Sequence, residues 1–80
     1  MLTPEQSRAA RGWLDWSQDE LAGRAKVSLS TIRDFEKGRR TPIANNLDAI
    51  VRALESAGVE LLFSDEGKAK GVAVSSNTPA

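Results

Sequence analysis

The sequence predicts an all-α bundle of four short helices, followed by two β-like runs that can pair as a hairpin. Three residues with N-cap chemistry, Thr3, Ser17 and Ser28, each precede a helical segment. Between residues 47 and 54, apolar side chains recur at i, i+3, i+4 and i+7, the period of a helix with one buried face. The chain has 80 residues, enough for one small domain with a modest core.

The first helix has a start signal and a stop signal. Thr3 can cap it, Pro4 suits the first helical position, and Gln6 completes a capping box three residues after the cap. The helix is expected to reach about Leu14. Asp15 follows where the chain must leave the helix, and Asp tolerates the left-handed conformation that such a stop requires.

Two more short helices follow, separated by only a few residues. Ser17 predicts the N-cap of the second helix, with Glu20 as its capping-box partner. Ser28 caps the third, which ends at Gly38, a residue suited to the left-handed position after a helix. The inward face of the pair is predicted to consist of small and medium apolar residues, namely Leu21, Ala22, Ala25, Val27, Ile32 and Phe35.

The fourth helix runs from about residue 44 to residue 57, and Gly58 stops it. The runs "VELLF" (59–63) and "GVAV" (71–74) are β-like and are separated by turn-forming residues. The chain therefore divides into three predicted parts: a helical domain (1–58), a hairpin or dimerisation segment (59–74) and a disordered tail (75–80).

Positive charge is concentrated in one part of a chain whose net charge is zero. Residues 24–40 hold six basic and two acidic residues, a net charge of +4, and each flanking part has a net charge of −2. Such a window is either a solvated face or a surface for nucleic-acid phosphates. Its coincidence with the interrupted second and third helices favours the second interpretation.

Composition excludes several classes of function. The chain has no Cys and no His, which excludes disulfides and any zinc site built on those ligands. The acidic residues form no recognisable catalytic constellation, so we expect no enzyme, no metal and no cofactor. No apolar run is long enough to span a membrane, and the N-terminal residues are too polar for a signal peptide. We expect a cytoplasmic protein.

Two short helices joined by a tight turn suit DNA reading. The major groove is about 12 Å wide and admits one helix, which a second helix must hold away from the body of the protein. Ala22 is small, as a close crossing of two helices requires. The outward positions of the third helix are short and polar or positively charged, namely Ser28, Ser30, Thr31 and Arg33.

The stretch from Arg8 to about Leu54 resembles the phage-repressor-type helix-turn-helix (XRE) family, to which the lambda repressor is related. The matching residues occur in order and at family spacing: Arg11, Trp16-Ser17-Gln18, Leu21-Ala22, Val27-Ser28, Ser30-Thr31-Ile32, Glu36, Gly38, Pro42 and Leu47. The resemblance implies a lambda-repressor-like bundle of four or five helices. It also implies that the helix at 28–37 is the recognition helix, inserted into the major groove.

The resemblance implies roles for individual residues. Leu29, Ser30 and Asp34 match base-reading positions of the family. Together with the outward residues named above, the predicted base-reading set is Ser28, Leu29, Ser30, Thr31, Arg33 and Asp34. Leu29 and Asp34 stand where family members often carry Gln, Arg or Asn. Leucine can touch a thymine methyl group, and aspartate can accept a hydrogen bond from a cytosine amine.

A second set of residues is predicted to bind phosphate: Ser17, Gln18, Lys26, Lys37, Arg39 and Arg40. Gln18 matches a glutamine that also supports the recognition helix. Lys26 stands where many members have Gly in the turn, so it either strains the turn by about 1 kcal/mol or adds a phosphate contact. Arg11 and Glu36 match an ion pair that ties the first helix to the end of the recognition helix.

The predicted function is a sequence-specific transcriptional regulator that binds double-stranded DNA, most simply a dimeric repressor. The homodimer would be held at least partly by residues 59–74. The alternative is a protein-interaction module on the same fold, such as an antitoxin that masks a partner protein. Trp16 is expected in the core, whereas Trp13 is either partly buried or a partner contact. The operator, the regulated gene and any effector are not readable from the sequence.

Overall fold

The computed structural model describes residues 1–74, which form four helices followed by an antiparallel two-stranded hairpin. The elements are α1 (Pro4–Leu14), α2 (Gln18–Ala25), α3 (Leu29–Glu36), α4 (Ala44–Ser56), β1 (Val59–Phe63) and β2 (Ala69–Val74). The predicted fold class is confirmed, and within residues 1–74 there is no fifth helix. The second strand begins at residue 69 rather than 71, and the predicted tail, 75–80, lies outside the described residues.

Local side-chain chemistry determines where α1 begins and ends. The hydroxyl of Thr3 accepts from the backbone N–H of Gln6 at 3.2 Å, and the Gln6 side chain accepts from the Thr3 N–H at 3.1 Å. This is the predicted capping box. Asp15 ends the helix in the left-handed conformation, with φ 58°.

The N-terminus of α2 differs in part from its prediction. Ser17 caps the helix by accepting from the Glu20 N–H at 2.9 Å, as expected. The other half of the predicted capping box is wrong, because the Glu20 carboxylate instead accepts from the Arg24 guanidinium at 2.7 Å, one turn further along the helix. A charged partner at i+4 competes successfully for the carboxylate.

The turn between α2 and α3 is short. Lys26 adopts a left-handed conformation with φ 59°, the Val27 N–H donates to the Ala22 carbonyl at 3.0 Å, and Ser28 caps α3. Ala22 is buried where α2 packs against α3 and α4. The burial of this small side chain agrees with its predicted place on the inward face of α2.

One core joins the helices and the first strand. Its buried apolar residues are Leu2, Ala10, Leu21, Ala22, Ala25, Ile32, Phe35, Leu47, Ile50, Leu54 and Val59. Val27 and Trp16 are half-buried and pack against this core. Trp13 is 64% exposed, so it is partly buried and most of its side chain is accessible, and the partner contact stays a prediction.

The hairpin packs on its own chain. The cross-strand pairs Val59–Val74 and Leu61–Val72 lie in register, and Val59 is buried in the core. The buried side-chain amide of Gln6 donates to the carbonyls of Leu62 at 2.9 Å and Gly71 at 3.0 Å. A helix side chain therefore holds both strands, which a two-stranded hairpin needs because it is marginal alone in water.

Candidate nucleic-acid interface

The third helix has one buried face and one polar, accessible face. Ile32, Phe35 and Glu36 are buried, and they hold α3 against the body of the protein. The accessible face has Ser28, Ser30 and Arg33 exposed, with Thr31 and Asp34 half-buried. The structure therefore places five of the six predicted base-reading residues on a surface that a DNA groove could meet, namely Ser28, Ser30, Thr31, Arg33 and Asp34.

Hydroxyl groups cluster where α3 begins. Ser28 Oγ accepts from the Thr31 N–H at 3.1 Å, which caps the helix, and it lies 2.8 Å from Thr31 Oγ1 and 3.1 Å from Ser30 Oγ. Each hydroxyl can donate or accept, so the cluster can rearrange to match different base edges.

Leu29 is the sixth predicted base-reading residue, and its position is different. Its side chain is half-buried and packs against the core. Only its accessible part remains for a thymine methyl group. The helical period agrees with this position, because Leu29 lies three residues before Ile32 and seven before Glu36, both on the buried face of α3.

Cations lie at both ends of α3. Lys26 precedes it in the turn, whereas Lys37, Arg39 and Arg40 follow it, and all four are exposed. The loop after the helix is fixed by backbone bonds: the Arg39 N–H donates to the Asp34 carbonyl at 2.9 Å, and Gly38 adopts φ 75°. The two arginines therefore begin from a defined backbone position beside the accessible face.

The remaining predicted phosphate-binding residues already have intramolecular partners. Ser17 uses its hydroxyl to cap α2, and Gln18 Nε2 donates to Glu36 Oε1 at 3.1 Å. Gln18 thus supports the C-terminal end of α3, the second role that the resemblance implies for it.

Glu36 is the centre of a buried polar network that joins α1, α2 and α3. Its carboxylate, 2% exposed, accepts from Arg11 Nη2 at 2.7 Å and from Arg11 Nε at 2.9 Å. Ser7 Oγ donates to the same carboxylate at 2.6 Å. No buried side-chain nitrogen or oxygen within residues 1–74 lacks a hydrogen-bond partner.

The network controls the charge of Glu36. Burial alone would raise the pKa of this carboxyl group, but the hydrogen bonds from Arg11, Ser7 and Gln18 outweigh it and hold the pKa below its ordinary value. The hydrogen bond to Glu36 likewise raises the pKa of Arg11. Both groups are therefore charged at neutral pH.

Several residues of this region were not predicted from the sequence. Ser7 binds Glu36 directly, and Arg8 donates to the Glu36 backbone carbonyl. The signal for Ser7 was its position four residues before Arg11, on the same helix face. The Arg24 guanidinium also lies over the Trp16 ring, 4.4 Å from its centroid.

A cavity of about 250 Å³ lies beside the accessible face of α3. It is lined by Thr31 and Asp34 on the helix, by Arg40 and Pro42 in the loop, and by Asn46 on α4. Asn46 was not predicted as a site residue. Its amide gives this surface one more group that can both donate and accept hydrogen bonds.

Comparison with known proteins identifies the family. The sequence model described as "Helix-turn-helix" matches residues 8–61, which include α2, α3, α4 and all twelve predicted DNA-contacting residues. The chain belongs to this helix-turn-helix family. The resemblance to the XRE-type helix-turn-helix family is thereby confirmed. A search of curated protein sequences found no match to the chain.

A solved structure agrees with this assignment. The chain is similar to the DNA-binding domain of the P22 C2 repressor, residues 1–76, determined by nuclear magnetic resonance in solution. The two share 33% sequence identity over 69% of this chain and 72% of that one, with a TM-score of 0.62. Within residues 1–74 of this helix-turn-helix protein, no helix has the length and apolar character needed to cross a bilayer.

Proposed function

We propose that this protein is a sequence-specific DNA-binding transcriptional regulator, a non-enzymatic dimeric repressor that acts in the cytoplasm. It would insert α3 and its cap, residues 28–37, into the major groove. Family membership supports this proposal, and so does the similarity to a domain whose own description is DNA-binding.

The observation that carries the proposal is the arrangement of α3. The helix exposes a row of hydroxyl and charged side chains while its other face is fully buried, and cations lie at both ends. Phosphate contacts position a protein on DNA, and contacts with base edges supply specificity. The polar groups on the accessible face of α3 suit base edges, and the cations that flank the helix suit phosphates.

The side-chain chemistry assigns a role to each residue. Arg33 can form a bidentate pair with guanine, and Asp34 can accept from a cytosine amine. Ser28, Ser30 and Thr31 can bond to several base edges, while Lys26, Lys37, Arg39 and Arg40 would neutralise phosphates.

A dimer follows from the size of the reading surface. The eight residues of α3 can reach only a few base pairs, too few to select one site in a genome. A two-fold dimer doubles the contacts and places two half-sites about one helical turn, near 34 Å, apart. A dimer bound across a promoter would exclude the polymerase, which is the simplest route to repression.

Selection from random duplex DNA with the full chain tests the proposal. We expect an enriched palindrome with half-sites about one helical turn apart. Arg33→Ala should change the preferred base at one position in each half-site, and Lys70→Ala, an exposed cation on β2, is the matched control. The proposal is wrong if no sequence is enriched, or if Arg33→Ala leaves the preference unchanged at every position.

The second candidate function is a protein-interaction module, such as an antitoxin, and Trp13 is the observation that favours it. An indole that is 64% exposed on α1 is a frequent anchor in protein interfaces. A folded protein that enriches no DNA sequence would favour this candidate over the regulator.

A further inference from the structure

A groove of about 510 Å³ lies between the C-terminal end of α2 and the C-terminal half of α4. It shares no lining residue with the cavity beside α3. Three cations and a hydroxyl line it, namely Arg24, Lys26, Arg52 and Ser56, and its other lining residues are alanines. No acidic residue of the described chain, 1–74, lines the groove, so its local charge is positive.

Two of the three cations have no acidic partner. Arg24 donates to a glutamate one helical turn earlier at 2.7 Å, whereas Lys26 and Arg52 form no ion pair within residues 1–74. Arg52 has an acid about one turn away in each direction along α4, Asp48 and Glu55, and pairs with neither. Like charges that border one groove repel each other, and an anion bound between them removes this repulsion.

The backbone fixes where the donor side chains begin. Lys26 is left-handed, with φ 59° and ψ 42°, a conformation that Gly adopts without strain, so its side chain has a cost that a ligand contact can offset. Arg52 and Ser56 are four residues apart on α4 and therefore lie on one helix face. An ammonium, a guanidinium and a hydroxyl group thus border the groove from two separate elements.

We propose that this groove binds a small phosphomonoester, a function beyond the DNA binding proposed above. At neutral pH a phosphomonoester has a charge of about −1.5 to −2 and three strong acceptor oxygens. Lys26 and Arg52 supply one positive charge each, and Ser56 adds a hydroxyl donor. A carboxylate has a single negative charge, and one arginine satisfies both of its oxygens, so it would leave the second cation unmatched.

The alanines accommodate the organic part of such a ligand. Ala49, Ala53 and Ala57 recur every four residues along α4 and its C-cap, and each is half-buried, so their methyl groups form one apolar wall of the groove. The volume of the groove falls within the range of about 300–1,000 Å³ that small-molecule sites occupy. It therefore has room for an organic group attached to the phosphate.

The position of the groove favours a free molecule over a DNA phosphate. The reading helix α3 contributes no residue to the groove. Asn46 lines the cavity beside α3, and Arg52 lies six residues, about 9 Å, further along α4. Lys26 is the lining residue that is also predicted to bind DNA phosphate, so a bound ligand would compete with DNA for its ammonium group.

A nuclear magnetic resonance titration of the full chain with phenyl phosphate, at constant ionic strength, tests the site. We expect saturable shifts of the backbone amide signals of Lys26, Arg52 and Ser56. Arg52→Gln should raise the dissociation constant by about tenfold or more, because it removes a charge-assisted hydrogen bond. Lys70→Gln removes the same charge from the exposed surface of β2 and should leave the constant unchanged.

Three results would overturn the site. The first is the absence of saturable shifts at the groove, and the second is equal weakening by Arg52→Gln and Lys70→Gln, which would mean a general effect of charge. Benzoate supplies the ring with a single negative charge and should bind about tenfold more weakly than phenyl phosphate. Equal affinity for the two compounds is the third result. Circular dichroism melts verify that each variant is folded.

A salt titration with a DNA duplex distinguishes a free ligand from the DNA backbone. Arg52→Gln should leave the slope of log K against log salt at its wild-type value. A slope reduced by about 0.9 would overturn the free ligand and assign Arg52 to a DNA phosphate. The titration with phenyl phosphate contains no DNA, so this site and the proposed DNA-binding function can fail separately.

Discussion

The guanidinium of Arg11 and the carboxylate of Glu36 form a buried ion pair, with Nη2 and Oε1 2.7 Å apart. The pair joins the C-terminal end of α3 to α1, and Gln18 joins the same carboxylate to α2. One acidic side chain thus helps to fix the orientation of α3. An error in its angle would move every group on the accessible face.

The energetic coupling of this pair can be measured directly. Arg11→Met should cost about 3–5 kcal/mol of the free energy of unfolding, because it leaves a buried carboxylate without its cation. Glu36→Gln should cost less, since the amide can still accept from Ser7. Urea melts of both single variants and the double variant give the coupling energy, and strictly additive losses would mean that the two residues do not interact.

The lowered pKa of Glu36 makes the free energy of unfolding depend on pH in the acidic range. Because its folded pKa lies below its unfolded value near 4.3, the stabilisation is fully present above about pH 5 and is lost as the pH falls through the folded pKa. The free energy of unfolding should therefore decrease below about pH 4.5. Glu36→Gln should show a shallower decrease, and equal slopes for the two proteins would contradict this assignment.

Gln6 is expected to hold the hairpin on the helices. Gln6→Leu leaves the carbonyls of Leu62 and Gly71 without their donor, at a cost of about 1–3 kcal/mol. Amide hydrogen exchange in β1 and β2 should accelerate. Thr3→Ala is the control, because it removes the capping box but not the bonds to the hairpin, and accelerated exchange there would contradict the interpretation.

Arg39 and Arg40 should supply sequence-independent affinity for DNA. Replacing both with Ala should weaken binding to all duplexes and reduce the slope of log K against log salt by up to about 2. The matched control is Lys68→Ala combined with Lys70→Ala, which removes the same charge from the hairpin. A salt titration in which both double variants have the wild-type slope would show that the arginines contact no phosphate.

The sequence predicted most of the features that depend on neighbouring residues, the Glu20 half of the α2 capping box excepted. The caps at Thr3, Ser17 and Ser28 have partners three residues away, and all three form. The contacts of Ser7 with Glu36 and of Gln6 with Leu62 span 29 and 56 residues, so no local pattern could identify Glu36 or Leu62 as the partners. The Arg11–Glu36 contact also spans the fold, and only the family resemblance pointed to it.

Lys26 combines two properties that can be tested at one position: a left-handed backbone conformation and a positive charge that is predicted to contact phosphate. It is exposed in the left-handed conformation, φ 59° and ψ 42°, which costs a residue with a Cβ atom about 1 kcal/mol. Lys26→Gly removes that strain but gains conformational freedom in the unfolded chain. We therefore expect the free energy of unfolding to rise by less than about 1 kcal/mol.

The charge of Lys26 acts independently of this strain. If its ammonium group contacts a phosphate, Lys26→Gly should lower the salt slope of DNA binding by about 0.9, and Lys26→Arg should preserve it without gaining stability. Urea melts and salt titrations on the three proteins measure the two effects separately. A glycine variant with an unchanged salt slope would assign Lys26 no phosphate contact. A glycine variant less stable than the wild type would show that the strain in the turn is smaller than the cost of the added freedom of the unfolded chain.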